Sequence, residues 1–427
     1  MRPRNKSAFG ALLKDRVENT ESVRSTRSST VIDGGCLLWE VEWKVGSTYY
    51  EFGENVAKRI NTISGTKSVL VLDGYEHSTK DLEHASRQKY FCADQLVDKD
   101  KSILVTKNKF FSNGRNKESL IAFLCSWLPT SSSLADSPTT LIIKKSQKDA
   151  DTLVVKSALE ECQLTDERVI VHGTDTDILI LLLYHGHDYP NLYYGKINIR
   201  DLWTMLSEEE RRVLLVAYCF SGVDTVSSIF GKGKAFIFNL FSRNDEIRDT
   251  IVPAFLDPTT SLQIIKNLGV KLIRMIYTQS PDTPLSSVRH KTYIKQCFSG
   301  KIKPERLPPT KEAAAQHCLR AFQQCREWVI LDTDLVAGPF GWEWDISRKM
   351  FIPVYSQSPM APSELETFVS CGCEGSCSKN SCSCFKNSVR CIASVCRNCT
   401  PEGKCENFEK EVINHGLVDE EEESEEG

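Results

Sequence analysis

Hydrophobic positions along the chain fall into short continuous apolar runs that recur between stretches with helical spacing. Short β-branched runs between polar turns recur at 68–72 (SVLVL), 140–143 (TLII) and 168–172 (RVIVH), which predicts strands. Between and after them, 150–161 and 208–220 carry apolar residues at helical spacing, and 311–328 reads as a further helix. Strands alternating with helices predict an α/β fold with a mostly parallel central sheet flanked by helices. From 246 to 363 the pattern is mixed and partly helical, broken by Pro253, Pro258, Pro281, Pro304, Pro308 and Pro309. No apolar run is long enough to span a bilayer, so no membrane partner is expected.

Composition narrows this picture only slightly. The 427 residues leave room for two or three domains, and 41% hydrophobic with 26% charged residues suits a core-forming chain. The net charge of −4 hides an acidic run over 419–426, which reads as a solvated, disordered tail. Residues 1–28 are basic and rich in Ser and Thr, without the apolar stretch of a secretory signal. They are expected to be a flexible lead-in to a protein of the nucleus or cytoplasm that is not secreted.

The placement of aspartates carries the chemistry. Asp33 follows the apolar run 30–32, Asp73 follows 69–72, and Asp175 and Asp177 follow 169–172. Asp149 and Asp151 open the helix expected from 150, and Asp224 comes just after the helix ending at Phe220. In a parallel sheet the carboxyl ends of the strands share one rim. Seven carboxylates on one rim repel one another unless divalent cations neutralise them. Mg²⁺ or Mn²⁺ meets that need with hard oxygen ligands. Two such ions about 3.5–4 Å apart activate water and stabilise the leaving oxygen of a phosphodiester. A single aspartate at a strand-to-helix turn is also a common N-cap, so the joint placement decides.

These residues resemble the flap endonuclease/XPG branch of the PIN-like nucleases. Residues 69–80 (VLVLDGYEHSTK) look like that family's second acidic strand, with Lys80 seven residues after Asp73 and Arg87 seven further on. At helical spacing the two cations share a face and could meet a scissile phosphate. Residues 148–152 (KDADT) resemble the paired-acid helix start, with Asp149 and Asp151 where the family carries glutamates. Residues 172–178 (HGTDTDI) resemble the double-aspartate loop, and 220–240 the last metal aspartate followed by a helix–two-turn–helix. The resemblance implies that Asp33, Asp73, Asp149, Asp151, Asp175, Asp177 and Asp224 hold two Mg²⁺ or Mn²⁺ ions, with Lys80 and Arg87 as catalytic cations. Gly231, Lys232, Gly233 and Lys234 would contact nucleic-acid phosphates; an isolated GKGK reads as a plain turn between helices, and its place seven residues after Asp224 shifts that reading. The insert over 90–138 stands where the family builds an arch. Its lysines, with Phe110, Phe111 and Trp127, either grip a strand or form an ordinary helical excursion.

Nine of the seventeen cysteines crowd together: Cys371, Cys373, Cys377, Cys382, Cys384, Cys391, Cys396, Cys399 and Cys405. Two C-x-C pairs and a C-x-x-C read as zinc ligation, and nine thiolates satisfy up to three Zn²⁺ if three sulfurs bridge. The segment resembles the CXC modules of tesmin/TSO1-type proteins, which implies contact with DNA or with a protein partner such as chromatin.

The expected organisation is a flexible lead-in (1–28), a nuclease-like domain (29–245), a mixed extension and linker (246–363), a cysteine module (364–408) and an acidic tail (409–427). The expected activity is metal-dependent hydrolysis of phosphodiester bonds in DNA, or RNA, by an endonuclease or 5'-nuclease. The alternative is a catalytically inactive, mobile-element-derived nucleic-acid-binding or chromatin protein that works through the zinc module.

Overall fold

The computed structural model describes residues 6–17, 27–74, 92–135, 137–147, 150–278, 283–298, 306–331, 340–357, 371–386, 390–391, 396, 399 and 405–407. The chain divides into two compact units, Met1–Leu272 with Ala315–Val354, and Ile273–Ala314 with Tyr355–Gly427.

The first unit is built on a six-stranded sheet of β1 (Ser28–Asp33), β2 (Lys67–Leu72), β3 (Thr140–Lys145), β4 (Arg168–His172), β5 (Leu192–Tyr194) and β6 (Ile197–Asn198). Its order is β3-β2-β1-β4-β5-β6. The first five strands are parallel and β6 pairs antiparallel with β5. The mostly parallel α/β architecture is therefore the one expected from the period of the sequence. The chain steps outward from β1 through β2 to β3, then returns to the other side of β1 and steps outward again. The loops after β1 and β4 consequently diverge, and a crevice opens at the carboxyl ends of these two neighbours.

The first described residues are ordered. Of the lead-in expected to be flexible, residues 7–14 form helix α1 (Ser7–Lys14), with Phe9 and Leu13 buried. The phenyl ring of Phe9 packs against Tyr218 at 5.8 Å and edge-on to Phe238 at 5.3 Å. The arginine- and serine-rich composition of the segment masked this short apolar face. At Gly10 a Cβ would stand 2.7 Å from Thr176 Oγ1, so close approach of α1 requires glycine there.

After β1 come α2 (Gly34–Glu40) and α3 (Tyr49–Ile63), the latter closed by a capping box between Thr48 and Glu51. In the insert, α4 (Gly114–Trp127) packs on one face of the sheet. Phe110 is completely buried beside Trp43 and Tyr49, so this one of the insert's three expected aromatic contacts is core, while Phe111 and Trp127 are half-buried. Helix α5 (Ala150–Leu164) follows β3, and α6 (Thr176–Gly186) follows β4. Residues 178–183 of α6 have no exposure at all, as expected of a helix that is apolar around its whole circumference. Helix α7 (Glu208–Phe220) starts at a Ser207/Glu210 capping box. Two tight turns, closed by bridges Val223–Val226 and Ile229–Lys232, connect it to α8 (Lys234–Arg243).

Among the described residues from 246 to 357 most are helical, including α9 (Leu262–Tyr277), α10 (Leu285–Phe298) and α11 (Lys311–Ile330), with a small hairpin, β7 (Trp342–Asp345) and β8 (Met350–Pro353). No helix among the described residues is long and apolar enough to cross a membrane.

Candidate functional site

The crevice beside β1 and β4 is lined by acids. Asp33 ends β1 and caps α2, its Oδ1 accepting the Gly35 N–H at 2.9 Å. Asp175 caps α6 in the same way, accepting the Asp177 N–H at 2.9 Å. Each cap uses one carboxylate oxygen. Asp151 in the first turn of α5, with Asp175 and Asp177, brings carboxylate oxygens within 4.8 Å of one another, a group that could hold a metal ion. Asp73, just past β2, receives the Lys117 ammonium at 2.5 Å. Asp224, in the first turn after α7, receives the Lys6 ammonium at 2.8 Å, and the same ammonium pairs with Asp177.

Electrostatics tie these groups into one site. Burial, reinforced by the charges of Asp151 and Asp73, pushes the Asp33 carboxyl up to about 7. Burial and the charges of Asp177 and Asp151 push Asp175 up to about 6, with Lys6 acting in the opposite sense. The Tyr194 phenol, whose hydroxyl donates to the Asp175 carbonyl at 2.9 Å, is pushed well above its usual value by burial and by Asp175 and Asp33. Six of the seven carboxylates singled out in the sequence thus converge: Asp33, Asp73, Asp151, Asp175, Asp177 and Asp224. Asp149, Lys80 and Arg87 lie outside the described residues.

The glycine–lysine turn departs from expectation at one residue. Lys234 does not face solvent: it is buried, and its ammonium donates to the carbonyls of Tyr218 at 2.9 Å and Gly222 at 2.6 Å. It also lies 3.6 Å from the centre of the Tyr218 ring. A buried ammonium so satisfied braces the turn and cannot serve as a phosphate contact. Gly231 has φ +67°, a conformation that favours glycine, and Gly231 and Gly233 are exposed. Lys232 is half-buried, its ammonium 4.4 Å over the Phe236 ring.

Composition concealed three residues of the site: Lys6 sat in the expected lead-in, and Tyr194 and Tyr218 in apolar stretches. Lys117, expected among the insert's lysines as a strand contact, pairs instead with Asp73. The Tyr218 hydroxyl donates to Asp177 Oδ1 at 2.6 Å within the buried interior. Beside the rim, Cys36, Glu40 and His172 also bring one donor atom each within 4.8 Å. Glu40 there is already held by His172 at 3.0 Å and Arg59 at 2.8 Å.

In the second unit the cysteines form a compact cluster. Eight of the nine are buried, and Cys373 is half-buried against them. Three four-sulfur groups could each hold a metal ion: Cys371, Cys377, Cys382 and Cys391; Cys371, Cys391, Cys396 and Cys399; and Cys377, Cys391, Cys399 and Cys405. The sulfurs of Cys371, Cys377 and Cys399 make a near-equilateral triangle with sides of 3.8, 3.7 and 3.8 Å.

No family model matches the chain, and no curated protein matches it. Among solved structures it is similar to a bacteriophage T5 D15 flap endonuclease captured with DNA and metal ions, at 13% identity and a TM-score of 0.33, covering 71% of this chain and 100% of that one. A T5 D15 protein crystallised with metal ions matches at 14% identity and a TM-score of 0.33, covering 71% and 99% of the two chains. A T5 5'-exonuclease matches at 12% identity and a TM-score of 0.30, covering 71% and 97%.

Proposed function

We propose that this chain is a divalent-metal-dependent nuclease that hydrolyses phosphodiester bonds in DNA, of the PIN-like, flap-endonuclease type that its motifs resemble. The observation that supports this is the convergence of Asp33, Asp73, Asp151, Asp175, Asp177 and Asp224 at the crevice of a parallel sheet. Carboxylates pushed up to about 7 and about 6 by burial and mutual repulsion are costly to keep, and hard divalent cations are the partners that would relieve them. Bound there, Mg²⁺ or Mn²⁺ ions would supply a nucleophilic water and neutralise charge on the phosphate. Asp33 and Asp175 are oriented for ligation by their own N-caps, and Tyr218 fixes the carboxylate plane of Asp177. Asp149 completes the proposed ligand set, Lys80 and Arg87 are proposed to meet the scissile phosphate, and the exposed turn at Gly231–Gly233 with Lys232 to hold the nucleic-acid backbone.

The cysteine cluster is proposed to bind three Zn²⁺. Tetrahedral ZnS₄ with Zn–S near 2.3 Å has sulfur–sulfur edges of about 3.8 Å. The triangle of Cys371, Cys377 and Cys399 has that edge on all three sides, which suits three bridging thiolates. The proposed roles of this module are contact with DNA or chromatin, and with them a nuclear location.

A catalytically silent nucleic-acid-binding protein is the alternative, favoured by one observation: protein ammonium groups sit on the acids, Lys6 on Asp177 and Asp224 and Lys117 on Asp73. Purified full-length protein assayed on branched and single-stranded DNA with Mg²⁺ or Mn²⁺ separates the two. The nuclease proposal expects cleavage that falls at least about 100-fold in an Asp175→Ala/Asp177→Ala variant. Equal residual cleavage by both proteins would contradict it.

A further inference from the structure

Helix α1 carries a cation into the acidic crevice. Lys6, the residue that precedes its first turn, pairs with both Asp177 and Asp224, and the Lys6 side chain is only 15% exposed. The helix is fixed there by several independent contacts. Phe9 wedges between Tyr218 and Phe238, and Leu13 is fully buried. Arg16 makes a two-point ion pair with Glu210 at 2.7 and 2.9 Å. The Thr176 hydroxyl donates to the Lys6 carbonyl at 3.3 Å, tying the start of α1 to the start of α6. The amino end of α1 adds its own partial positive charge on the same side. An ammonium delivered by a docked helix, rather than by a surface side chain free to swing away, is a standing occupant of that end of the crevice.

We infer that Lys6 holds the place of the second divalent cation, so that the resting protein takes one exchangeable ion, beside Asp33, Asp151 and Asp175 with Lys117 remaining on Asp73, and admits another only when Lys6 withdraws. This rests on the proposed metal-dependent function and specifies how many ions its carboxylates accept. The physical basis is that two carboxylates sharing one ammonium have their charge largely offset, and an incoming divalent ion must first expel that ammonium from a poorly solvated site.

The test is a Mn²⁺ titration of the zinc-loaded full-length protein by calorimetry at neutral pH. Wild type is expected to bind one Mn²⁺ at the crevice. Lys6→Gln is expected to bind two, the added site at least about 10-fold tighter than any second site in wild type. Lys6→Arg, which keeps the charge, should retain the wild-type count. Equal stoichiometry and affinity in wild type and Lys6→Gln would overturn the inference while leaving the metal-dependent function standing. Absence of Mn²⁺ binding in every variant would overturn both. Should Lys6→Gln fail to fold, Phe9→Ala unpins the helix without altering a ligand. A second ion gained there supports the inference, and an unchanged count overturns it.

Discussion

Tyr218 stands between Lys234 and Asp177. The Lys234 ammonium lies 3.6 Å from the centre of its ring, and its hydroxyl donates to Asp177 at 2.6 Å. The turn after α7 is therefore coupled to the acidic crevice through one aromatic side chain. Replacing Lys234 with Met would leave the Gly222 carbonyl buried without its ammonium donor and the Tyr218 carbonyl with only the Ser221 hydroxyl, at a cost of roughly 1–3 kcal/mol. Urea denaturation should record that loss, while the slope of DNA affinity against salt stays as in wild type. Lys232→Ala should do the reverse, leaving stability nearly unchanged and lowering the salt slope by about 1.

Raised carboxyls make the metal-free protein sensitive to pH. With Asp33 at about 7 in the folded chain, against an ordinary value near 4 when unfolded, the folded state holds a proton that the unfolded state has released. Stability therefore falls as pH rises through the window from about 4 to about 7, by at most about 1.4 kcal/mol per pKa unit. Asp175, at about 6, adds to the lower part of that window. Thermal melts of wild type without added Mg²⁺ should show a declining midpoint across this range, and Asp33→Asn should flatten it. Mg²⁺ should restore the midpoint most at the alkaline end. Superimposable melting profiles for wild type and Asp33→Asn would remove Asp33 from the account.

Phe9→Ala should release α1 without unfolding the sheet. A fully buried phenylalanine costs about 3–5 kcal/mol on truncation. Here the loss is capped by the docking energy of one eight-residue helix, because local opening relieves it. Hydrogen exchange is expected to accelerate in residues 7–14 while the amides of β1, β2 and β4 keep their protection. Uniform acceleration throughout the first unit would show that α1 is integral to the core.

Metal content tests the cysteine cluster separately. Full-length protein purified without chelator should carry three zinc ions by elemental analysis, and Co²⁺ substitution should give thiolate charge-transfer absorption. Since Cys399 belongs to two of the four-sulfur groups and Cys405 to one, Cys399→Ser should release more zinc than Cys405→Ser. Fewer than one zinc per chain would argue against the assignment.

Sheet, strands and most of the acids were legible in the sequence because each rests on a local signal. Short, continuous β-branched runs marked β2, β3 and β4, with Asp73 directly after the first and Asp175 and Asp177 within five residues of the last. What was hidden depended on distant packing. Nothing local distinguishes Lys6 from other lysines near the chain start; its role follows from Phe9 and Leu13 burying a face 160 or more residues away from Asp177 in sequence, as its ion pair across a separation of 171 residues shows. Lys234 misled for the opposite reason. A lysine after glycines signals phosphate contact locally, whereas the ring of Tyr218 and the carbonyls beneath it turn the side chain inward. Phe110 was likewise ambiguous until the aromatic cluster around Trp43 claimed it.

Crystals soaked in Mn²⁺ and measured at its absorption edge would locate the divalent ion itself. An anomalous peak about 2.0–2.3 Å from carboxylate oxygens of Asp33, Asp151 and Asp175 is expected. A fully soaked crystal with no peak in that crevice would contradict the claim that these acids are gathered to hold a divalent ion.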